Sequence, residues 1–481
     1  MVRGDKPMTA IASYGAYIPR HRLPLGAIGG RTAREGGPEK AVAWNDEDSV
    51  TMAVSAAINC LRDIDRRRVD AVYFASTSYA FREKQAAALV ARALDLRRDL
   101  DCADFAGSLR AGTTALRAAT DSVSAGSARC ILVVASDCRM GAPGSGLERM
   151  GGDGAAAFLV TDANAIATFE ASHAIAEEIV DVWRGDADTF VHSWEDRFVV
   201  QEGYVPRVVE AVQGLLAKTE TQISDYAKVV LYGPDARNHA TVARTLGVAK
   251  DALCDALFGK LGNAGAAFAP LLLAAALENV KPGERILVAN YGDGAEALSF
   301  TVGNEAREFS PRRGVSWHLS RRRPVKSYDH YLKARGLTTT EWSPPEGPGL
   351  SATIHYRYRD NDISFLGQKC NACSAVQFPM QRLCETCFSK DDFEPYRLSD
   401  RTGKLVTYTL DNFFPTPDPP TVVAIVDIDG ARLHMQVVNC AAEDVKIGLP
   451  LEFEFRRIHQ SGGRPNYYWK AAPTDNGEQG A

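Results

Sequence analysis

The sequence predicts an α/β protein of two similar halves, followed by a small metal-stapled module and a β-barrel. Three observations carry this. The first two thirds of the chain contain an internal repeat, a four-cysteine array runs from Cys370 to Cys387, and alternating β-type segments follow it.

The repeat is visible at two places. Val90-Ala91-Arg92-Ala93-Leu94 resembles Val242-Ala243-Arg244-Thr245-Leu246, and Ile131-Leu132-Val133-Val134-Ala135 resembles Ile286-Leu287-Val288-Ala289-Asn290, each roughly 150 residues later. A further strand-like run precedes each helix, Ala71 to Ala75 in one half and Val229 to Tyr232 in the other. Short apolar strands alternating with longer helical segments argue for two packed α/β units. The stretches Ala111–Ala125 and Ala264–Leu277 are rich in small residues, so their helices are expected to pack closely in a buried central layer.

After Val302 the composition shifts. Arg312, Arg313, Arg321, Arg322, Arg323 and Lys326 form a basic stretch, read either as a grip on an anionic ligand or as a solvated face. Ser343-Pro344-Pro345-Glu346-Gly347-Pro348-Gly349 has linker composition. The expected boundaries are 1–340 for the α/β domain, 341–362 for a linker, 363–395 for a zinc ribbon and 396–481 for the barrel. Leu405–Leu410, Val422–Ile428, Leu433–Val438 and Leu451–Phe455 have the alternation and spacing of a small barrel. The tail from Pro473 is polar and expected to fray.

Cys370, Cys373, Cys384 and Cys387 form a CxxC–x10–CxxC array. Two such pairs on tight turns bring four thiolates to the corners of a tetrahedron, the arrangement of a closed structural Zn²⁺ site. No position is left for water, so this zinc would build a fold and activate nothing. The surrounding segment is too polar for a core, which a metal staple explains. The alternatives are two disulfides or four buried thiols; nothing else in the chain suggests an oxidising compartment. The remaining cysteines, among them Cys102, are scattered.

The 481 residues are 45% hydrophobic and 24% charged, ordinary values for a globular protein. A net charge of −5 argues against general nucleic-acid binding. With no signal pattern at Met1–Thr9 and no apolar run of membrane-spanning length, a cytoplasmic protein is expected.

Several motifs in order give a family resemblance. They are Ile11 through Arg20, Asp46 through Ala53, Arg110-Ala111-Gly112-Thr113, Leu261-Gly262-Asn263 and Asn290-Tyr291-Gly292-Asp293-Gly294-Ala295. Residues from about Thr9 to Leu337 resemble the hydroxymethylglutaryl-CoA synthase branch of the thiolase superfamily. The resemblance implies a duplicated, five-layered αβαβα sandwich that dimerises through its sheet edges and takes an acyl-CoA substrate. Under it the basic stretch becomes a candidate for a CoA phosphate. Residues from about Ile363 to Trp469 resemble the zinc-ribbon and OB-fold domain that accompanies many thiolases.

The resemblance also implies a catalytic Cys, His, Asn and Glu, and here the chain departs. Leu109 stands at the Cys position, with Ser108 beside it and Cys102 nearby. Tyr232 replaces the His, Thr77 replaces the Glu between two serines, and Asn263 is retained. Leu109 cannot be acylated, Ser108 would need an activating base, and Cys102 reaches the site only through a local gap. His239 is expected on the surface, and His173 and His192 have no evident partner.

Two readings follow. In the first, the protein makes or breaks a C–C bond beside a CoA thioester by aldol or retro-aldol chemistry, which needs a proton shuttle and enolate stabilisation but no acyl-enzyme. Tyr232 would carry the proton, Asn263 would orient a water or the thioester oxygen, and Asp293 is an alternative base. Thr77, Tyr79 and Leu109 would line the acyl pocket. The alternative readings are a core tyrosine at a strand end for Tyr232 and a turn residue for Asp293. In the second reading the chain is a degenerate subunit that partners a Cys-bearing thiolase or a hydratase.

Overall fold

The computed structural model describes residues 8–163, 165–307, 309, 313–338, 351–414 and 416–474. Two compact units divide it. The first comprises residues 1–44, 48–91 and 96–331; the second comprises 45–47, 92–95 and 332–481.

The first unit is built on a nine-stranded sheet that displays the repeat directly. In one half, Ala71–Ala75 pairs parallel with Cys130–Asp137, which pairs antiparallel with Gly154–Thr161 and then Ala10–Tyr17. In the other half, Lys228–Leu231 pairs parallel with Arg285–Tyr291, then antiparallel with Gly294–Val302 and Ala167–Ala176. Within the sheet the halves join where Ala10 and Ile11 meet Thr168 and Ala167. The first half carries an extra edge strand, Asp101–Phe105, whose counterpart in the second is a single bridge, Val229 to Leu253.

Helices complete the layers. Ser49–Cys60 covers the outer face of the first half-sheet and Val205–Thr219 that of the second. Ala111–Ser124 and Phe268–Leu277 lie between the half-sheets and touch each other. Phe268–Leu277 is buried on nearly every side, which explains a helix with so little polar sequence. The two central helices meet at Gly112. A Cβ there would stand 2.3 Å from the Ala266 carbonyl oxygen and 2.8 Å from Pro270 Cγ. Glycine is thus required by close approach in the Arg110-Ala111-Gly112-Thr113 motif.

In the second unit Leu366–Cys370 pairs with Val376–Gln377 and Phe393–Arg397 as a three-stranded ribbon carrying the cysteine array. A closed five-stranded barrel follows: Gly403–Asp411, Thr421–Ile428, Ala431–Val437, Pro450–Ser461 and Arg464–Pro473. Strict in–out alternation along Thr421–Ile428 puts Val422, Ala424, Val426 and Ile428 inside. The hairpin after it turns on Asp429-Gly430, both at positive φ, as a two-residue turn demands. Phe365 stacks on Trp469 at 5.6 Å, and Trp469 Nε1 donates to the Ile363 carbonyl at 2.9 Å. Within the stretch expected as linker, Ala352–Asp362 forms a helix capped by the Ser351 hydroxyl. The expected linker core at 343–349, Arg312 and the tail beyond residue 474 lie outside the described residues.

Gly112→Val should destabilise the first unit by about 1–3 kcal/mol, since overpacking must push apart two helices with no slack. Denaturant unfolding of the full chain, followed by tryptophan fluorescence, should show the corresponding fall in midpoint.

Candidate active site

The site lies where neighbouring parallel strands end. Chain ends of parallel strands point the same way, so residues just beyond them converge. Ser76-Thr77-Ser78 follow Ala71–Ala75, Asp137 closes Cys130–Asp137, Tyr232 follows Lys228–Leu231, and Tyr291 closes Arg285–Tyr291.

Asp137 is fully buried. Its Oδ1 accepts from Ser76 Oγ at 2.9 Å, Thr77 N at 2.8 Å and Ser78 Oγ at 2.6 Å. Its Oδ2 accepts from Thr77 Oγ1 at 2.7 Å and Ala266 N at 2.8 Å. The Ala266 amide belongs to the turn that opens the second central helix, and the adjacent Gly265 N donates to Asn263 Oδ1 at 2.9 Å. Asn263 Nδ2 in turn donates to Tyr232 Oη at 3.0 Å and the Gly233 carbonyl at 3.2 Å. One polar chain therefore runs from the serine–threonine loop of the first half to Tyr232 of the second.

Asn263 has little freedom. Its N–H donates to the Met150 carbonyl at 2.7 Å and its carbonyl accepts from Gly152 N at 2.9 Å. Tyr232 is equally fixed. Its amide donates to the Ala289 carbonyl and its carbonyl accepts from the Tyr204 hydroxyl at 2.6 Å. Its ring sits edge-on to Phe268 and Tyr204 and tilted against Tyr291. Burial first, then the charge of Asp181, pushes the Tyr232 phenol up to about 12; Arg139 and the Asn263 hydrogen bond pull the other way. Tyr232 is thus a neutral phenol at physiological pH, held by an amide donor.

Other expected site residues have different settings. The Leu109 side chain is buried in the core. Ser108 Oγ accepts from Arg110 N at 3.3 Å, and no imidazole or carboxylate among the described residues hydrogen-bonds to it. The Thr77 hydroxyl and amide are both committed to Asp137. The Tyr79 hydroxyl donates to the carbonyls of Phe105 and Phe74 at 2.8 and 3.1 Å. Asp293 is exposed in a turn at positive φ, with its carbonyl receiving Arg110 Nη2 at 3.1 Å. Cys102 sits on the edge strand, and burial, then Asp104 and Asp101, pushes its thiol up to about 11, away from the thiolate a nucleophile needs.

His239, expected on the surface, is buried beside Phe258 with Nε2 unpaired, and burial lowers its pKa. It packs there because the helix Ala236–Thr245 turns that face inward, against Gly233. His192 lies 3.4 Å from Asp188, and His173 packs against Gly214. In the basic stretch, Arg313 and Arg321 lie over the Trp317 ring at 4.7 and 4.1 Å, and Arg322 pairs with Glu39 at 3.4 Å.

A cleft of about 280 Å³ opens beside the site. Phe258, Met150 and Leu25 give it an apolar wall; Lys40, Arg149 and Arg237 line it with Glu39 and Asp235, and the Lys40 ammonium and Arg149 guanidinium are given to the carbonyls of Glu148, Leu25 and Ile28. Its lining includes Gly262, next to Asn263, and Asp235, three residues beyond Tyr232.

The four array cysteines also converge. Their sulfurs all lie within 4.8 Å of one another, with Cys370–Cys387 and Cys373–Cys384 at 3.6 Å. Tetrahedral sulfurs about 2.3 Å from a zinc are about 3.8 Å apart, so the donor set fits the metal. The amides of Cys387 and Thr386 pull the Cys384 thiol down to about 6.

Comparison with known proteins agrees with this architecture. Residues 216–303 match the C-terminal domain of 3-oxoacyl-[acyl-carrier-protein] synthase III, residues 361–394 the rubredoxin-like zinc ribbon of ChsH2, and residues 396–456 its C-terminal OB-fold domain. The solved structure of MvaS in complex with 3-hydroxy-3-methylglutaryl coenzyme A superposes with TM-score 0.62 at 20% identity, covering 71% of this chain and 95% of that one. The HMG synthase of the curacin pathway superposes with TM-score 0.60 at 18% identity, over 81% of this chain and 100% of that one. The fold is therefore thiolase-like, with a zinc-ribbon domain and an OB-fold barrel attached.

Hydroxymethylglutaryl-CoA synthase of Pyrococcus furiosus is 32% identical over 344 residues, covering 69% of this chain and 97% of its own length. That of Methanocaldococcus jannaschii is also 32% identical over 344 residues, covering 68% and 99%. The chain belongs to the hydroxymethylglutaryl-CoA synthase family.

Sequence reading had not singled out Asp137, Arg139, Asp181 or Tyr204, and Tyr291 only as part of a motif. The signal available was Asp137 at the end of an apolar strand run, where a carboxylate needs partners. Asp181 lies in a segment with no periodic pattern, and nothing local marks it.

Proposed function

We propose that the first unit makes or breaks a C–C bond beside a CoA thioester, by aldol or retro-aldol chemistry without an acyl-enzyme. One observation carries the reading: a buried phenol, Tyr232, hydrogen-bonded to Asn263 where the family places a His, combined with a leucine where it places the nucleophile. The cleft beside it supports an acyl-CoA ligand, with the exposed Arg237 for a phosphate and an apolar wall for the pantetheine arm.

In the cleavage direction Tyr232 reacts in its minor phenolate form: it takes the β-hydroxyl proton and returns it to the enolate carbon. The Cα–Cβ electron pair becomes the enolate of the thioester, and the β-carbon leaves as a carbonyl. Protonation of the enolate carbon gives the shortened acyl-CoA. An amide donor such as Asn263 Nδ2 keeps the phenol oxygen oriented and lowers the cost of negative charge on it. The zinc, held by Cys370, Cys373, Cys384 and Cys387, has a structural role. A homodimer is the expected assembly, and the edge strand Asp101–Phe105 is the strand through which it would pair.

Tyr232→Phe should lower kcat about 10²–10⁴-fold with little change in CoA affinity. Full activity in this variant would move the proton role to Asp293. Inactivity of the wild-type chain on every β-hydroxyacyl- and β-ketoacyl-CoA would favour a partner-subunit role beside a Cys-bearing thiolase or a hydratase.

Incubation with radiolabelled acetyl-CoA followed by denaturation should leave no label on the protein, since Leu109 offers no nucleophile. Stable label on Ser108 or Cys102 would restore a covalent mechanism.

Metal analysis of reductively purified protein should find one zinc per chain. Cys384→Ser should release it and unfold the ribbon, because binding free energy of the metal is folding free energy there.

A further inference from the structure

Proton transfer tolerates little misplacement of the reacting oxygen: an error of about 1 Å can cost about 10²-fold in rate. The strand Lys228–Leu231 ends one residue before Tyr232, so the peptide beyond it must be held from outside the strand. The Tyr232 amide still reaches the Ala289 carbonyl, but its own carbonyl is taken by a side chain, the Tyr204 hydroxyl, at 2.6 Å.

Tyr204 arrives there through an uncommon local structure. Residues Val199–Tyr204 form a π-helical turn that leads into the helix Val205–Thr219, and the Val205 N–H reaches back five residues to the Val200 carbonyl. Such turns are rare and appear frequently at functional sites. The extra residue sets the register. Val208 and Tyr204 are inside at the ordinary four-residue spacing, the next inside residue is Val199, and Gln201 and Glu202 stay in water. An α-helical register continued backwards through Tyr204 would carry Gln201 inward instead.

Gly203 and Tyr204 then face the site together. A Cβ on Gly203 would stand 2.6 Å from Tyr291 Oη and 2.9 Å from Ile179 Cδ1, so glycine is required by the close approach. The Tyr204 ring lies edge-on to Tyr232 at 6.2 Å and to Tyr291 at 5.4 Å, which fixes the direction of its hydroxyl. Burial first, then Tyr232 and Asp235, raises the Tyr204 pKa well above the usual tyrosine value, so the hydroxyl remains a donor at any working pH.

We propose that Tyr204 is the positioning residue for proton transfer at Tyr232. This rests on the aldol reading and adds to it the group that holds the reacting phenol from behind. Tyr204 touches no reacting atom and acts through the peptide. The Tyr232 carbonyl is held by Tyr204, and the next carbonyl, that of Gly233, is held by Asn263 Nδ2 at 3.2 Å. The second N–H of that amide meets Tyr232 Oη at 3.0 Å. Without the Tyr204 hydroxyl a buried carbonyl has no donor, and the Tyr232–Gly233 peptide turns to find one. Glycine at 233 permits that turn. The Gly233 carbonyl then leaves Asn263, and the phenol oxygen loses its fixed partner.

The test is a double-mutant cycle in the full chain. On the acyl-CoA that the wild type converts, Tyr204→Phe, which keeps the ring packing, should lower kcat about 10–10²-fold with KM little changed. In the Tyr232→Phe background the same substitution should lower kcat no further, because the group it positions is gone. An unchanged kcat in the single variant overturns the proposal. So does a loss by the same factor in both backgrounds, which is the mark of a general structural role.

The hydrogen bond is also read without turnover. Tyr–Gly pairs occur at Tyr14-Gly15, Tyr232-Gly233 and Tyr291-Gly292, so protein labelled with carbonyl-¹³C tyrosine and ¹⁵N glycine gives three carbonyl–amide correlations. The one missing from Tyr232→Phe belongs to Tyr232. Its carbonyl resonance should move upfield in Tyr204→Phe, as a carbonyl does on losing a donor, while that of Tyr14 stays. An unmoved Tyr232 carbonyl overturns the proposal. Inactivity of the wild type on every acyl-CoA rejects the aldol reading itself, and the carbonyl shift then decides alone whether Tyr204 holds Tyr232.

Discussion

The buried carboxylate of Asp137 is the constraint on which the site depends. A carboxylate taken out of water is tolerable only when donors replace its hydration. Asp137 obtains them from both halves of the duplicated fold: three hydroxyls and an amide from Ser76-Thr77-Ser78, and one amide from the turn before the second central helix. That turn also carries Asn263. Satisfying one charge thus fixes the Ser76-Thr77-Ser78 loop and the amide that holds Tyr232. Close packing at Gly112 sets the distance over which this network spans the interface between halves.

The side chains at the site are mutually consistent. The Tyr232 phenol is one neutral donor–acceptor, and the Asn263 amide answers it. Thr77 gives both its amide and its hydroxyl to Asp137.

The second unit is stabilised differently from the first. Its ribbon has few apolar side chains to bury, and its four sulfurs are positioned to be joined by one metal. The barrel beyond it has a normal core, in which Phe365, Phe453, Phe455 and Trp469 supply most of the aromatic packing. Closure leaves the barrel without free strand edges.

The sequence by itself determined the elements whose signals are local. Periodicity and repetition marked the two α/β halves, the CxxC spacing marked the ribbon, and in–out alternation marked the barrel strands. Motif order singled out Asn263 and Tyr232, and the structure joins them by a hydrogen bond. Tertiary structure decided what depends on convergence. His239 turns inward through the packing of its helix, and the Thr77 hydroxyl is spent on a carboxylate sixty residues away. The physical reason is the same in each case: burial, electrostatic shift and hydrogen-bond partnership are properties of neighbours in space, and a linear pattern records only neighbours along the chain.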